Sequence, residues 1–564
     1  MTKAMANQID TPALELRSPD AVMRLKRLGA SFPTRLSFLR SLIRRLGSDG
    51  AVLRKTAWSI DPRGYGHAVY TVRLGDHDYS LVAFSCPLSD DQRSDRVIAE
   101  AWDTSYVLYD GTPGSADIER LRQNAPLQEA GRFGPRDLVL SRANKSVRFF
   151  EHVVDSLSNG RQPDRQRLGE IGYLVRTTAV YGNGKFGIAD RSLIERREGL
   201  GGPFQAEMLT VWLIREFSHD LVEHVAQARS PETFVPLAPD LRRHLGVGNS
   251  TGLGMAPFLA NHPVLLNNWI LARETALARV RALVTLGPPD VERIAALWLQ
   301  AKRHLGQWTV DDALLMQRIE RLRREWDEAE PMISPARLLS TPLPVARLLA
   351  CSQDKSLDFQ ELLAALLIEM AGADNDDLAD TMAAAREGHL QVAMKLATLK
   401  NLILTHYRWA LALSFSDPAE TAQFWYVSEE KLEPRLGERR HEAGAELELP
   451  LDIARQVQQL LRDIDALPPE LSVAAFLARY PAHRHAARRI QSAATAPYAE
   501  IRDNLISAEC LPIDMLRCKL AFFGASKFDP RSDRWTRITL FQGAPTAREI
   551  AAGETDNCWL PVLT

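Results

Sequence analysis

His67-Ala68-Val69-Tyr70-Thr71-Val72-Arg73-Leu74 alternates in side-chain character, Gly75-Asp76-His77-Asp78 follows with turn-forming residues, and Tyr79-Ser80-Leu81-Val82-Ala83-Phe84-Ser85 alternates again. A period of two over runs this short belongs to strands with one face in the core. The connection between them is too short to hold a crossover helix, so the two runs are expected to pair antiparallel. A third run, Val97 to Tyr109, is rich in Val, Ile, Trp, Tyr and Thr and closes at Asp110-Gly111. Together they predict a three-stranded antiparallel meander.

Outward from this meander the period is mostly helical. Pro19 to Leu46 reads as two short helices broken near Ser31-Phe32-Pro33, with Arg40, Arg44 and Arg45 on a solvated face. Asp137 to Leu157 carries one apolar stripe (Leu140, Val147, Phe150, Val154, Leu157) and stops at Asn159-Gly160, which predicts another helix. Pro203 to Ala228 and Val264 to Leu283 predict two long ones, and Pro289 to Glu387 reads as helix after helix. Tyr407–Phe415 and Ala422–Val427 read as paired strands, Ile513–Phe522 as a helix, and Trp535–Phe541 as a last strand. The expected fold class is α+β, predominantly α-helical: a multi-helix body with a small N-terminal antiparallel β-meander and a few further strands in the C-terminal third.

Length and composition set the limits. A chain of 564 residues is too long for one compact core. Three regions are expected: 1–160 with the meander, a central helical region 161–330, and a mostly helical region 331–564. With 45% hydrophobic and 25% charged residues, the chain has the composition of a folded globular protein. A formal charge of -2 supplies no overall field toward nucleic acid or an anionic membrane. Met1 to Ser18 has no basic start followed by an apolar run, and no apolar stretch is long enough to span a bilayer. The five cysteines are odd in number, scattered and without CxxC spacing. The expectation is a cytoplasmic protein with no nucleic-acid or membrane partner; a homo-oligomer is left open.

The stretch Gly172 to Glu274 least resembles packing material. Leu168 to Thr178 fits a helix ending near Tyr181, where Tyr181-Gly182-Asn183-Gly184-Lys185-Phe186-Gly187 would stop it. The alternative is a hairpin cornered at Asn183-Gly184. Glycines leave backbone N–H groups uncovered, and Lys185 lies among them with Arg191 beyond, a combination that suits an anion. A second glycine-rich stretch, Gly246-Val247-Gly248-Asn249-Ser250-Thr251-Gly252-Leu253-Gly254, reads as a turn that opens a helix at Ala256-Pro257. Its backbone donors and its Asn249, Ser250 and Thr251 side chains would receive a carboxylate or phosphate. Packing is the structural alternative, since glycine lets a chain pass close to its neighbours. The stretch is neither a dinucleotide fingerprint nor a P-loop.

The expected function is an enzyme acting on a small anionic metabolite by general acid/base chemistry, of lyase, isomerase or transferase type, without a Rossmann cofactor. His262, Glu207 and Glu274 are the acid/base candidates and Arg273 the electrostatic stabiliser. Tyr181, Asn183, Lys185, Arg191, Asn249, Ser250, Thr251 and Asn268 are the candidate binding residues. The alternative is a non-catalytic helical binding or assembly protein whose glycine-rich turns are packing devices. A third reading is metal-dependent hydrolysis. His219-Asp220-Leu221-Val222-Glu223-His224 is one residue longer than the HxxEH pattern, so its two histidines cannot share a helical face. His219 with Glu223 could still hold a metal ion, although i,i+4 polar pairing is the simpler account.

Overall fold

The computed structural model describes residues 14–31, 34–89, 92, 101–127, 132–181, 194, 196–252, 263–310, 313–383, 389–414, 425–427, 434–436, 449–450, 453–502, 512–525, 527–530 and 535–555. The fold is α+β and mostly helical, around one nine-stranded sheet. In chain order come α1 (Pro19–Val22), α2 (Phe38–Ser48), β1 (Leu53–Ile60), β2 (Gly66–Leu74), β3 (His77–Ser85), β4 (Thr104–Asp110), α3 (Ser115–Asn124), β5 (Asp137–Lys145), α4 (Phe150–Ser158), α5 (Arg165–Ile171) and β6 (Tyr173–Tyr181). Then follow α6 (Gln205–Arg229), α7 (Pro239–His244), β7 (Gly246–Gly252) and α8 (Pro263–Arg281).

The helical body continues through α9 (Pro288–Gln307), α10 (Ala313–Ala329), α11 (Pro335–Ser340), α12 (Pro344–Cys351), α13 (Leu357–Met370), α14 (Asp376–Ala383), α15 (Leu396–His406) and α16 (Arg408–Leu411). A three-stranded sheet holds β8 (Trp425–Val427), β9 (Pro434–Leu436) and β10 (Leu449–Pro450) in the order β10-β8-β9. The chain ends with α17 (Ile453–Asp465), α18 (Val473–Arg479), α19 (Arg484–Ala493), α20 (Pro512–Phe523), β11 (Lys527–Pro530), β12 (Trp535–Leu540) and α21 (Ala547–Ala551). Among the described residues, no helix is long and apolar enough to cross a membrane.

The large sheet runs β1-β2-β3-β4-β5-β6-β7-β12-β11. Its neighbours are antiparallel throughout except β6 and β7, which run parallel. The meander read from the sequence is present as β2, β3 and β4, extended by β1 on one side and by β5 and β6 on the other. The sheet draws strands from each of the regions 1–160, 161–330 and 331–564.

A parallel neighbour demands a crossover, and here the crossover contains α6, a helix about 37 Å long. It lies across β2 to β7 on one face. From Ala206 to Phe217 its apolar side chains are buried all round, as a helix through the centre of a core must be. Over β2 to β5 the opposite face is covered by α3 and the residue that ends it, where Leu121 and Ala125 share a core with Val69, Val82, Phe84, Val107, Tyr109 and Leu140.

Arg215 fastens this crossover. Its guanidinium is buried and donates to the carbonyls of Leu245 (Nε, 2.7 Å), Arg243 (2.8 Å), Ala544 (2.8 Å) and Pro545 (3.1 Å). One side chain thus ties α6 to the corner before β7 and to the chain leaving β12.

Four local expectations are corrected. Asp137 to Leu157 is a strand and then a helix, because Leu138, Val139 and Leu140 are needed on both faces of the sheet. Leu168 to Tyr181 is also split: Gly172, at φ +72°, stops α5, and the β-branched residues Val175, Thr177 and Val180 continue as β6. Gly246 to Gly252 is a strand paired on both sides, not a turn. Arg408–Leu411 is helical where a strand was expected, with Tyr407 before it donating to Glu500 (2.7 Å).

The basic helix α2 is not a solvated face either. Arg40 is buried in an ion pair with Glu369 of α13 (2.7 Å), Arg44 meets Asp376 (3.2 Å), and only Arg45 stays at the surface. Arg35 adds its backbone N–H to Glu369 and its side chain to Asp376. Acidic residues of the helical body anchor the N-terminal segment in this way.

Candidate functional site

Parallel pairing of β6 and β7 aligns Tyr173 with Gly246, Arg176 with Gly248 and Thr177 with Asn249. The two glycine-rich stretches of the sequence therefore begin on neighbouring strands, about 4.8 Å apart, that point the same way. Residues 182–193 and 253–262 follow the carboxyl ends of that pair. Asn183, Lys185, Arg191 and His262 belong to these segments and lie outside the described residues. Tyr181 pairs with Leu140, and Ser250 and Thr251 pair with Arg537 and Thr536. Asn249 donates through Nδ2 to Thr177 Oγ1 at 2.9 Å, a cross-strand bond.

Packing accounts for the first two glycines of the second stretch. A β-carbon on Gly248 would meet the Tyr173 ring, and one on Gly246 would stand 2.3 Å from the Leu540 carbonyl oxygen and 2.8 Å from the Gln542 nitrogen.

The remaining candidates fall elsewhere. Glu207 is buried in the first turn of α6, where the helix dipole favours a negative charge. Asn268, Arg273 and Glu274 lie on α8 against the N-terminal segment. Both carboxylate oxygens of Glu274 accept from Arg17, at 2.8 and 2.7 Å. Arg273 is buried over the Trp269 ring (5.1 Å to its centre), with one contact of 3.5 Å to the Leu28 carbonyl. Asn268 Oδ1 accepts from Asn267 at 3.2 Å.

His219 lies wholly inside the protein, and the Leu245 main chain is its one polar neighbour among the described residues that favours the protonated ring. Burial, with Arg242 and Arg215 nearby, pushes its pKa well below the usual histidine range; only the Leu245 main chain opposes this. Glu223 accepts from the Leu237 N–H (3.1 Å) and from Arg242 (3.2 Å). Asp220 accepts from Tyr70 (2.6 Å) and Arg242 (2.8 Å), and His224 contacts Trp58 and the Asp61 carbonyl. The i,i+4 segment is thus spent on partners from other elements. Among the described residues, no group of three or more His, Cys, Asp or Glu is placed to hold a metal ion.

One constellation went unread in the sequence. At the end of the sheet where β6 and β7 run out, His77 Nε2 lies 2.5 Å from Asp110 Oδ1, and Arg197 Nε donates to Asp110 Oδ2 at 2.9 Å. A carboxylate only accepts, so His77 Nε2–H is the donor and Asp110 orients the ring with Nδ1 on its far side. The side chain of His77 is 43% exposed, whereas His483, in the same arrangement with Asp463 (2.7 Å), is 12% exposed and stacked on Phe476. His77 reads in the sequence as a turn residue. Its only signal is the Asp that closes a later strand, which becomes its neighbour solely through the β3–β4 register.

No protein-family model matches the chain, and no curated protein or solved structure is found to be similar to it.

Proposed function

We propose that this chain is an enzyme for a small anionic metabolite, carboxylate- or phosphate-bearing, held at the end of the sheet where β6 and β7 run out. The reaction is proton transfer of lyase, isomerase or transferase type, with no Rossmann cofactor. Lys185, Arg191 and the backbone donors around Asn183 hold the anionic group, with Tyr181, Ser250 and Thr251 at the strand ends. His262 and Glu207 remain the acid/base candidates, and the His77–Asp110 pair, at that end of the sheet, is added to them. Glu274 is committed to Arg17 and acts as an anchor.

One observation carries this reading: the parallel pairing of β6 with β7, alone among the strand pairs of the described sheet. In open sheets of parallel strands, ligands bind outside the carboxyl ends of the strands where the connections diverge, and the β6–β7 pair offers such ends to the two loops that follow it. The test is a metabolite screen by melting temperature, since a ligand that binds only the native state raises it. Carboxylates or phosphates are expected among the hits, and Lys185→Ala is expected to abolish their effect while leaving the unliganded melting temperature nearly unchanged. A large loss of unliganded stability in that variant would make Lys185 structural and remove the reading's anion anchor.

The second reading, a binding or assembly protein without catalysis, is favoured by the tight contacts under Gly246 and Gly248. It expects a screen with no hits.

A further inference from the structure

Around Arg273 the charges do not balance. Three guanidinium groups, those of Arg17, Arg27 and Arg273, meet two carboxylates, Glu274 and Glu361. Arg17 takes both oxygens of Glu274 and reaches Glu361 Oε1 at 2.9 Å; Arg27 takes the same Oε1 at 3.0 Å and Gln360 with its other arm. Arg273 is left with the field of these two carboxylates but no hydrogen bond to either. Its one hydrogen-bond contact among the described residues is the 3.5 Å approach to the Leu28 carbonyl, and its Nε has no acceptor.

Arg273 is nevertheless 3% exposed. Burial draws its pKa down, which is the response of a buried cation with too little compensation. The Cys518 thiol beside it is pushed up to about 12 by burial and stays neutral, so it supplies no counter-charge. Donors without acceptors recur on the same helix: the indole N–H of Trp269, one turn before Arg273 on the same face, and Nδ2 of Asn268. Buried donors are almost always satisfied, and an excess of donors and positive charge asks for a guest that only accepts. Arg17 and Arg27 are partly exposed, so the cluster meets solvent at their side chains.

We propose that Arg273 is the anchor of a second anion site, which takes a small oxyanion (carboxylate or phosphate) between α8, α13 and the segment Leu14–Ser31. The guanidinium fork suits an oxyanion's geometry. This site is separate from the strand-end reading and does not depend on it.

The experiment follows thermal unfolding of the full chain at pH 7 with sodium acetate, and separately sodium phosphate, at ionic strength fixed with sodium chloride. The wild type is expected to show a saturable rise, about 2 °C at a hundredfold excess over Kd. Arg273→Met is expected to lose the part of the rise that persists in Lys185→Ala and, without added anion, to melt no lower than the wild type, because an under-compensated buried charge has been removed. Should Arg273→Met not fold, Arg273→Lys keeps the charge but not the fork and is expected to need at least tenfold more anion. No saturable response in the wild type, or an undiminished response in the Arg273 variants, overturns the proposal. A response lost in Lys185→Ala but kept in Arg273→Met overturns it too, while leaving the strand-end reading standing.

Discussion

A β-carbon on Gly248 would stand 2.7 Å from Cγ of the Tyr173 ring, a side chain carried by the neighbouring parallel strand. Tyr173 is itself buried, so the ring has nowhere to retreat. Gly248→Ala is therefore expected to destabilise by about 1–3 kcal/mol through overpacking. Gly306, near the end of α9 with nothing within 4 Å of its missing side chain, is the control. Gly306→Ala should gain up to about 1 kcal/mol. Urea denaturation of both variants checks the pair, and equal effects would refute the packing account.

Removing the Arg215 clamp should be severe. Arg215→Met strips a donor from four main-chain carbonyls in the interior, and an unsatisfied buried acceptor costs about 1–3 kcal/mol. A total loss of at least about 3 kcal/mol is expected, with hydrogen exchange accelerating first around Leu245 and Ala544. A loss confined to α6 would count against the clamp.

His219 makes stability depend on pH. Its folded-state pKa is depressed, while the unfolded ring titrates near ~6.5. Above that value neither state is protonated and the full stability is present. As pH falls through it, the unfolded chain binds a proton that the folded interior refuses, and stability drops by up to about 1.4 kcal/mol per pH unit. His219→Leu should remove that slope between pH 6.5 and 5, so that the variant gains on the wild type as pH falls. Paired denaturation curves at pH 7 and pH 5 decide it. Loss of stability at both pH values would point to a contact for the ring.

Thiol labelling should sort three cysteines. Cys86 and Cys351 are exposed and Cys518 is buried, with its thiol pushed up to about 12. Cys351→Ser should remove one rapidly reacting equivalent toward an aromatic disulfide reagent, and Cys86→Ser a slower one, because partial burial pushes the Cys86 thiol up. Cys518→Ser should change nothing until the protein is unfolded. Rapid labelling of Cys518 would mean that the core beneath α20 opens.

Alternating runs with a short turn between them were legible: β2 and β3 follow from their β-branched and aromatic residues on either side of Gly75-Asp76. The long helix α6 was equally plain. Strand β5 was not, because Leu140 falls in helical register with Val147, Phe150, Val154 and Leu157, and a strand buried on both sides offers no period of two against that reading. Strand β7 was hidden by its composition. Gly246 and Gly248 mark close approach of Tyr173 and Leu540, partners distant in sequence that no local pattern reveals. Distance in sequence also concealed the site: Arg40 reads as a surface charge until Glu369 arrives from α13, and His77 as a turn residue until β4 brings Asp110.

Strand β12 reaches its place beside β7 only after the whole helical body has been made. At about 5–20 residues per second, a nascent chain keeps the hydrogen-bonding edge of β7 uncovered for tens of seconds on the ribosome. Until then that glycine-rich edge can add a strand from another molecule. Variants shortened before Trp535 should therefore be recovered as aggregates from translation, and a separately supplied peptide spanning Lys527 to Leu540 should rescue them.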